Sequence, residues 1–382
     1  MQKPIIFLLI AALLIICLPA VQRGSVALLA LHDLVPQFGG KWLPYVSKKI
    51  IVEHPQIEIE GEKLETNLYR PGGGKKRTAL VCVHGVNELG KDDPRLENLA
   101  KTFARAGFVV LVPGLPDMSP GKLNPKVISE IEASIRYISG RADIVRQGKL
   151  GIFGFSVGSG PTIIAASRLQ NQIPVSFLIS FGGYYDIAEV IRYSTTGHFS
   201  YQRKDFFIEP DPESRWFFVR YYADFLKNQN DADILRQITQ IKISDPGSDV
   251  SGLSDRLSPE GKSIFNLLTN ADPQRVGELI ENLPAELQSF VRGLNPKEQV
   301  EQLSANLFII HSANDNVIPY TQSLELRNYF KGKTHTELFL LNIFSHVNPV
   351  LPPFTPGNFF KEYVPETYSF WKLIYEILGY RT

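Results

Sequence analysis

Cysteine is almost absent from this chain, with two in 382 residues, Cys17 and Cys82. So few exclude a disulfide framework. Cys17 falls in an N-terminal apolar run and Cys82 in an expected buried strand, so the two are not expected to pair. An excess of one charge is missing too. A net charge of +1 gives no electrostatic reason to expect a nucleic-acid partner. The seven histidines never fall at metal-ligand spacing, with no H-x-H, H-E-x-x-H or C-x-x-C, and neither a metal nor another cofactor is expected. The glycine run Pro71-Gly72-Gly73-Gly74-Lys75-Lys76 lacks the G-K-[ST] ending of a phosphate loop. It joins two expected strands and reads as a surface turn.

What is present begins with an uncharged stretch, Ile5 to Val21, between Lys3 and Arg23. About 17 apolar residues is the lower limit for crossing a bilayer. Leu18-Pro19-Ala20 fits a signal-cleavage site poorly, so residues 1–24 are expected to form an uncleaved single-pass membrane anchor, with a cleaved signal peptide as the alternative. Residues 25–49 then read as a membrane-proximal linker, in which Val26 to Leu34 is apolar enough to lie along the membrane surface or extend the helix.

From about Ile50 the pattern becomes strand, turn, helix, repeated. Gln56 to Tyr69 alternates like a half-buried hairpin. Thr78 to Val83, Phe108 to Val112 and Val175 to Phe181 read as strands buried on both faces. Val127, Ile128, Ile131, Ile135 and Ile138 form one apolar stripe at helical spacing. Such alternation predicts a parallel sheet with helices on both faces, residues 50–186 forming the first part of an α/β core. The rhythm stops over residues 187–305, where short helix-like pieces with N-cap signals (Asp231, Ser258-Pro259, Asn295-Pro296) predict an inserted helical cap. It resumes over residues 306–382, the second part of the core.

Gly154-Phe155-Ser156-Val157-Gly158 stands between a strand-like run and a helix-like one. A serine between two glycines at a strand-to-helix turn is a nucleophile elbow, and the flanking positions must be small because the turn is so sharp. An Asp and a His follow it in the order Ser, Asp, His.

These motifs make the chain resemble an alpha/beta-hydrolase with a cap inserted after its sixth strand. The resemblance covers roughly residues 50–185 and 306 to the C-terminus. It rests on His84-Gly85 after the third strand, the elbow Gly154 to Gly158, the acid loop Ser312-Ala313-Asn314-Asp315-Asn316-Val317-Ile318-Pro319, and Phe344-Ser345-His346-Val347 after the last strand. Ser312 departs from the family pattern, which often has glycine there. The resemblance implies Ser156 as nucleophile, His346 as its base and Asp315 as the group orienting the histidine. It also implies backbone N–H groups of Val86 and Val157 as the oxyanion site, with His84 shaping that loop.

Each assignment has a rival. Asp186, just after the sixth strand, is an alternative acid, and His311 and His335 are alternative late histidines, though both fall within or at the start of expected strands. Asp117 lies at the C-terminal end of a strand, where it either lines the pocket or caps a loop. The aromatic cluster Phe199, Tyr201, Phe206, Phe207, Trp216, Phe217, Phe218, Tyr221 and Tyr222 either walls a lipophilic pocket above Ser156 or builds the core of the cap. Three functions follow: a membrane-anchored serine hydrolase of carboxylic ester, thioester or lipid substrates, a serine peptidase or amidase, or a non-catalytic binding protein.

Overall fold

A computed structural model describes residues 18–119, 122–350 and 355–381. Its strands are β1 (Ile50–Glu53), β2 (Gln56–Ile59), β3 (Glu62–Pro71), β4 (Arg77–Val83), β5 (Val109–Pro113), the short hairpin strands β6 (Met118–Ser119) and β7 (Lys122–Leu123), β8 (Val145–Phe155), β9 (Phe177–Phe181), a second hairpin β10 (His198–Tyr201) and β11 (Lys204–Phe207), then β12 (Asn306–Ser312) and β13 (Thr336–Leu341). The main sheet runs in the order β1-β3-β5-β4-β8-β9-β12-β13, with β2 paired to β3. From β5 to β13 all neighbours are parallel, while β1, β2 and β3 form an antiparallel edge. Continuous apolar runs occupy the middle: β4, β5, β9 and β12 bury nearly every residue, as strands covered on both faces must.

Two apolar clusters lie on the two faces of this sheet. One gathers Val81, Ile152 and Leu178 with the helices Val127–Gly140 and Ser159–Leu169, and continues into residues 187–305 through Trp216, Leu235 and Leu287. The other gathers Leu80, Val110 and Ile179 with Phe103 of the helix Pro94–Ala106 and Leu373 of the helix Val364–Leu378.

The expected single-pass anchor is corrected here. Residues 5–17 lie outside the described residues, and among the described residues no helix is long and apolar enough to cross a membrane. The helix that starts within the expected span runs Pro19–Leu34. At 1.5 Å per residue it is about 24 Å long, short of a hydrocarbon core of about 30 Å. It carries Arg23 and Asp33, and its apolar face is buried in protein rather than laid on a membrane surface. Ala27, Ala30 and Leu31 belong to the second cluster. Arg23 sits 3.8 Å over the Tyr375 ring, pairs with Glu376 at 3.1 Å and donates to the Tyr375 carbonyl. Trp371 Nε1 donates to Gly24 O at 3.0 Å. Asp33, 3% exposed, accepts from Trp42 N at 2.7 Å and Leu43 N at 3.2 Å, and its backbone carbonyl accepts from Asn98 Nδ2 of the helix Pro94–Ala106 at 2.9 Å.

Between β9 and β12 the chain forms helices including Ile187–Thr196, Gln229–Ser244, Pro259–Thr269 and Ala285–Gly293. It also forms the β10–β11 hairpin, a strand pair that the expected mainly helical insertion did not specify. Asp231 is fully buried within its helix and accepts from Ser258 N at 2.9 Å and Gly261 N at 3.2 Å, joining two helices of the insertion.

Candidate active site

Strand β8 ends at Phe155, and Ser156 follows with φ of 51°, in the left-handed region. A non-glycine residue there is strained and persists only where its surroundings hold it. The turn must stay narrow: a Cβ on Gly158 would stand 2.2 Å from the carbonyl oxygen of His84. Gly154 is crowded by Ser159 and Thr162 of the following helix, and Gly85 lies against Ser156, its Cβ position 3.0 Å from the serine Cβ. The four motif residues His84, Gly85, Gly154 and Gly158 thus surround one turn. His84 is buried, its Nδ1 donates to Gly85 O at 2.7 Å, and burial lowers its pKa, so the ring is neutral. Asn87 braces the same loop, donating to Gly85 O and accepting from Leu89 N and Gly90 N.

The acid loop follows β12 and the histidine loop follows β13, and parallel pairing of these strands brings the two loops to the same end of the sheet as the elbow. His346 Nε2 lies 2.6 Å from Ser156 Oγ, and its Nδ1 lies 2.6 Å from Asp315 Oδ2. Asp315 is fully buried, and its Oδ1 accepts from Val317 N and Ile318 N, each at 2.9 Å. Burial alone would push this carboxyl up. The charge of His346 and hydrogen bonds from His311 and His346 outweigh it and hold the pKa well below the usual carboxylate range.

No protein-family model matches the chain. A putative hydrolase from Legionella pneumophila subsp. pneumophila str. Philadelphia 1 superposes with a TM-score of 0.57 at 13% identity, covering 93% of this chain and 94% of that one. The chain has the alpha/beta-hydrolase fold. An esterase from Pyrobaculum calidifontis is similar at a TM-score of 0.47 and 13% identity, covering 94% of this chain and 90% of the other. A Bradyrhizobium sp protein named probable 2-oxo-3-(5-oxofuran-2-ylidene)propanoate lactonase is 28% identical over 149 residues. The match takes in 34% of this chain and spans only 57% of that relative's length.

Above Ser156 the chain has a cavity of about 430 Å³. Val86, Val157, Leu123 and His346 line its floor, and the insertion supplies the rest through Ile187, Ile191, Phe217, Phe218, Tyr221 and Tyr222. The aromatic cluster therefore divides. Phe217, Phe218, Tyr221 and Tyr222 face the cavity, whereas Phe199 and Trp216 are buried core.

The remaining sequence candidates lie elsewhere. Asp186 caps the helix Ile187–Thr196 through Ala188 N and pairs with Lys297 at 2.7 Å. His335 is exposed beside Glu337. Asp117 is buried, pairs with Lys122 at 2.7 Å and is absent from the cavity wall.

Three residues hold roles at the site that the sequence did not give: His311 and Ser312, named there only as a rival histidine and a departure from the family pattern, and Gly182. His311, fully buried in β12, places its Nε2 3.3 Å from Asp315 Oδ2 and 2.9 Å from Ile318 O, while its Nδ1 meets Ser323 Oγ at 2.6 Å. Ser312 donates to Phe344 O at 2.5 Å, linking the acid loop to the histidine loop. Gly182, with φ of 59°, lies beneath the His346 ring, where a Cβ would stand 3.2 Å from Cε1. The Gly182-Gly183 pair after β9 was the one available signal.

Proposed function

We propose that the chain is a serine hydrolase of carboxylic esters, with residues 187–305 acting as a cap over the site. One observation carries this reading: His346 bridges Ser156 and Asp315 by two 2.6 Å hydrogen bonds at the floor of a cavity. Nothing about a packed core requires a strained serine, an imidazole and a buried carboxylate in line.

In this mechanism Ser156 Oγ attacks the ester carbonyl carbon while His346 Nε2 takes the hydroxyl proton. Asp315 holds the ring with Nδ1 protonated and stabilises the imidazolium without itself taking a proton. The negative oxygen of the tetrahedral intermediate accepts from the N–H groups of Val157 and Val86. Loss of one such donor costs about 3 kcal/mol of transition-state stabilisation. As the intermediate collapses, the ester C–O bond breaks and His346 returns its proton to the leaving alkoxide, releasing an alcohol. A water molecule then attacks the acyl-Ser156 ester, again through His346, releasing the acid and restoring the serine. A lactone, the substrate named for the Bradyrhizobium relative, opens by the same steps, its alcohol remaining tethered to its acid.

The test is covalent labelling of the full chain by a fluorophosphonate. Labelling is expected at Ser156, absent in Ser156→Ala and at least about 100-fold slower in His346→Ala. A folded wild-type chain that resists labelling would overturn the reading.

A further inference from the structure

The wall of the cavity over Ser156 is largely apolar and aromatic, and Arg215 is out of place in it. Arg215 Nη2 donates to Thr195 O at 2.7 Å and Nη1 to Leu268 O at 3.4 Å. Among the described residues, no carboxylate lies within 4.0 Å of this guanidinium. Glu209 acts on it only from a distance, and burial outweighs that help, lowering the pKa of the guanidinium. The other cation of the wall, Arg220, already faces Glu213 at 3.8 Å, both side chains being about half exposed. Glu88 is exposed on the oxyanion side. The wall therefore holds one partly buried positive charge that no ion pair compensates.

Two hydroxyls beside it are unsatisfied as well. Ser214 and Tyr222 are 7% and 4% exposed, both line the cavity, and neither Ser214 Oγ nor Tyr222 Oη has a hydrogen-bond partner. A buried polar group without a partner is costly, and an uncompensated buried charge more so. Three such groups belong to residues that line one cavity, and together they call for an acceptor with one negative charge.

We propose that the cavity selects esters carrying a carboxylate remote from the scissile bond, with Arg215 as the partner of that carboxylate and the Ser214 and Tyr222 hydroxyls as further donors. A planar guanidinium fork matches a carboxylate in two parallel hydrogen bonds. A monoanion neutralises the single free cation, whereas a phosphate dianion would leave a second charge buried and unpaired. The proposal rests on the ester-hydrolase reading above and names its substrate class.

The experiment compares kcat/KM on matched pairs by pH-stat. Monomethyl glutarate against methyl valerate places the charge on the acyl side, and 4-acetoxybutyrate against butyl acetate places it on the alcohol side. In at least one pair the wild-type chain is expected to favour the charged ester about tenfold or more. That ratio is expected to fall about tenfold in Arg215→Gln and to be partly kept in Arg215→Lys. Ser214→Ala and Tyr222→Phe leave the bonds from Arg215 to the two carbonyls in place and are expected to lower the ratio about threefold each, which decides the matter if Arg215→Gln does not fold. A wild-type preference for the neutral ester in both pairs, or a ratio unmoved in folded Arg215→Gln, overturns the proposal while leaving the hydrolase reading intact. If no ester is turned over, phosphonate labelling judges the hydrolase reading and calorimetry with monomethyl glutarate, a monoanion, judges the anion site. Binding lost in Arg215→Gln supports the site, and no binding to wild type sinks it.

Discussion

Asp315 has an imidazole on either side of one carboxylate oxygen, His346 toward the serine and His311 toward the protein interior. The two differ in exposure: His346 borders the cavity, while His311 is sealed among Ser323, Ile318 and the acid loop. The inner ring meets the Ser323 hydroxyl through Nδ1 and faces Ile318 O and Asp315 through Nε2. The depressed pKa of Asp315 makes its ionised form a source of stability. That contribution is complete above the ordinary carboxylate pKa of about 3.9 and is lost as pH falls from there through the lower folded value. Asp315→Asn is therefore expected to cost on the order of 2–3 kcal/mol at pH 7, the difference from wild type shrinking progressively below about pH 4. Urea unfolding across that range measures it, and a difference independent of pH would contradict the assignment. At this scale the elbow was legible because its demands are local: small residues around a serine at a strand end. His311 was not, since a histidine inside a strand reads as core until the loop folded against it is known. Arg215 was hidden for a sharper reason. Its meaning lies in the carboxylate it lacks, which is a property of tertiary structure.

Among the elements, the β6–β7 hairpin joins a buried acid pair to the cavity. Leu123 of β7 lines the cavity, and Asp117 just before β6 donates its N–H to Glu130 Oε1 at 3.3 Å. Burial, and then the Asp117 carboxylate, push the pKa of Glu130 up to about 8. A carboxyl whose pKa is raised in the folded state works against stability as pH climbs, because the unfolded chain ionises first. The penalty begins near the ordinary glutamate pKa of about 4.3 and levels off above about 8. Glu130→Gln keeps an acceptor for Asp117 N and removes the proton. Its unfolding free energy, read from thermal melts, is expected to exceed that of wild type by an amount that grows from pH 5 to pH 8, about 1–2 kcal/mol at the upper end. A gain that shrank with rising pH would refute this. The strands of the core could be read from their apolar runs, but the β10–β11 hairpin could not. Its turn residues Gln202 and Arg203 have φ of 50° and 66°, values a hairpin turn usually reserves for Asn or Gly, so no turn signal marked it. The N-terminal helix misled in the opposite way: an alanine- and leucine-rich face looks the same whether it is covered by lipid or, as here, by Phe370, Leu373 and Ile374.

Across the whole molecule, the sheet separates two apolar interiors with different duties. One runs unbroken from the sheet into the insertion that walls the cavity; the other is closed by the helices Pro94–Ala106, Val364–Leu378 and Pro19–Leu34. Damage on the second side is expected to change the amount of folded protein rather than its chemistry. Leu31→Ala, at a site 2% exposed, is predicted to cost about 2–4 kcal/mol in urea unfolding while the rate of phosphonate labelling per folded molecule stays within about twofold of wild type. Slower labelling of the folded variant would show that the two sides are coupled. The clasp between the helices Pro19–Leu34 and Val364–Leu378 also has a consequence for synthesis. Arg23 and Gly24 leave the ribosome more than 340 residues before Trp371, Tyr375 and Glu376, their partners. At about 5–20 residues per second, that interval is tens of seconds, during which this face of the sheet lacks one of its three covering helices. Translation rate and chaperone supply, more than folded stability, would then set how much of the chain a cell obtains.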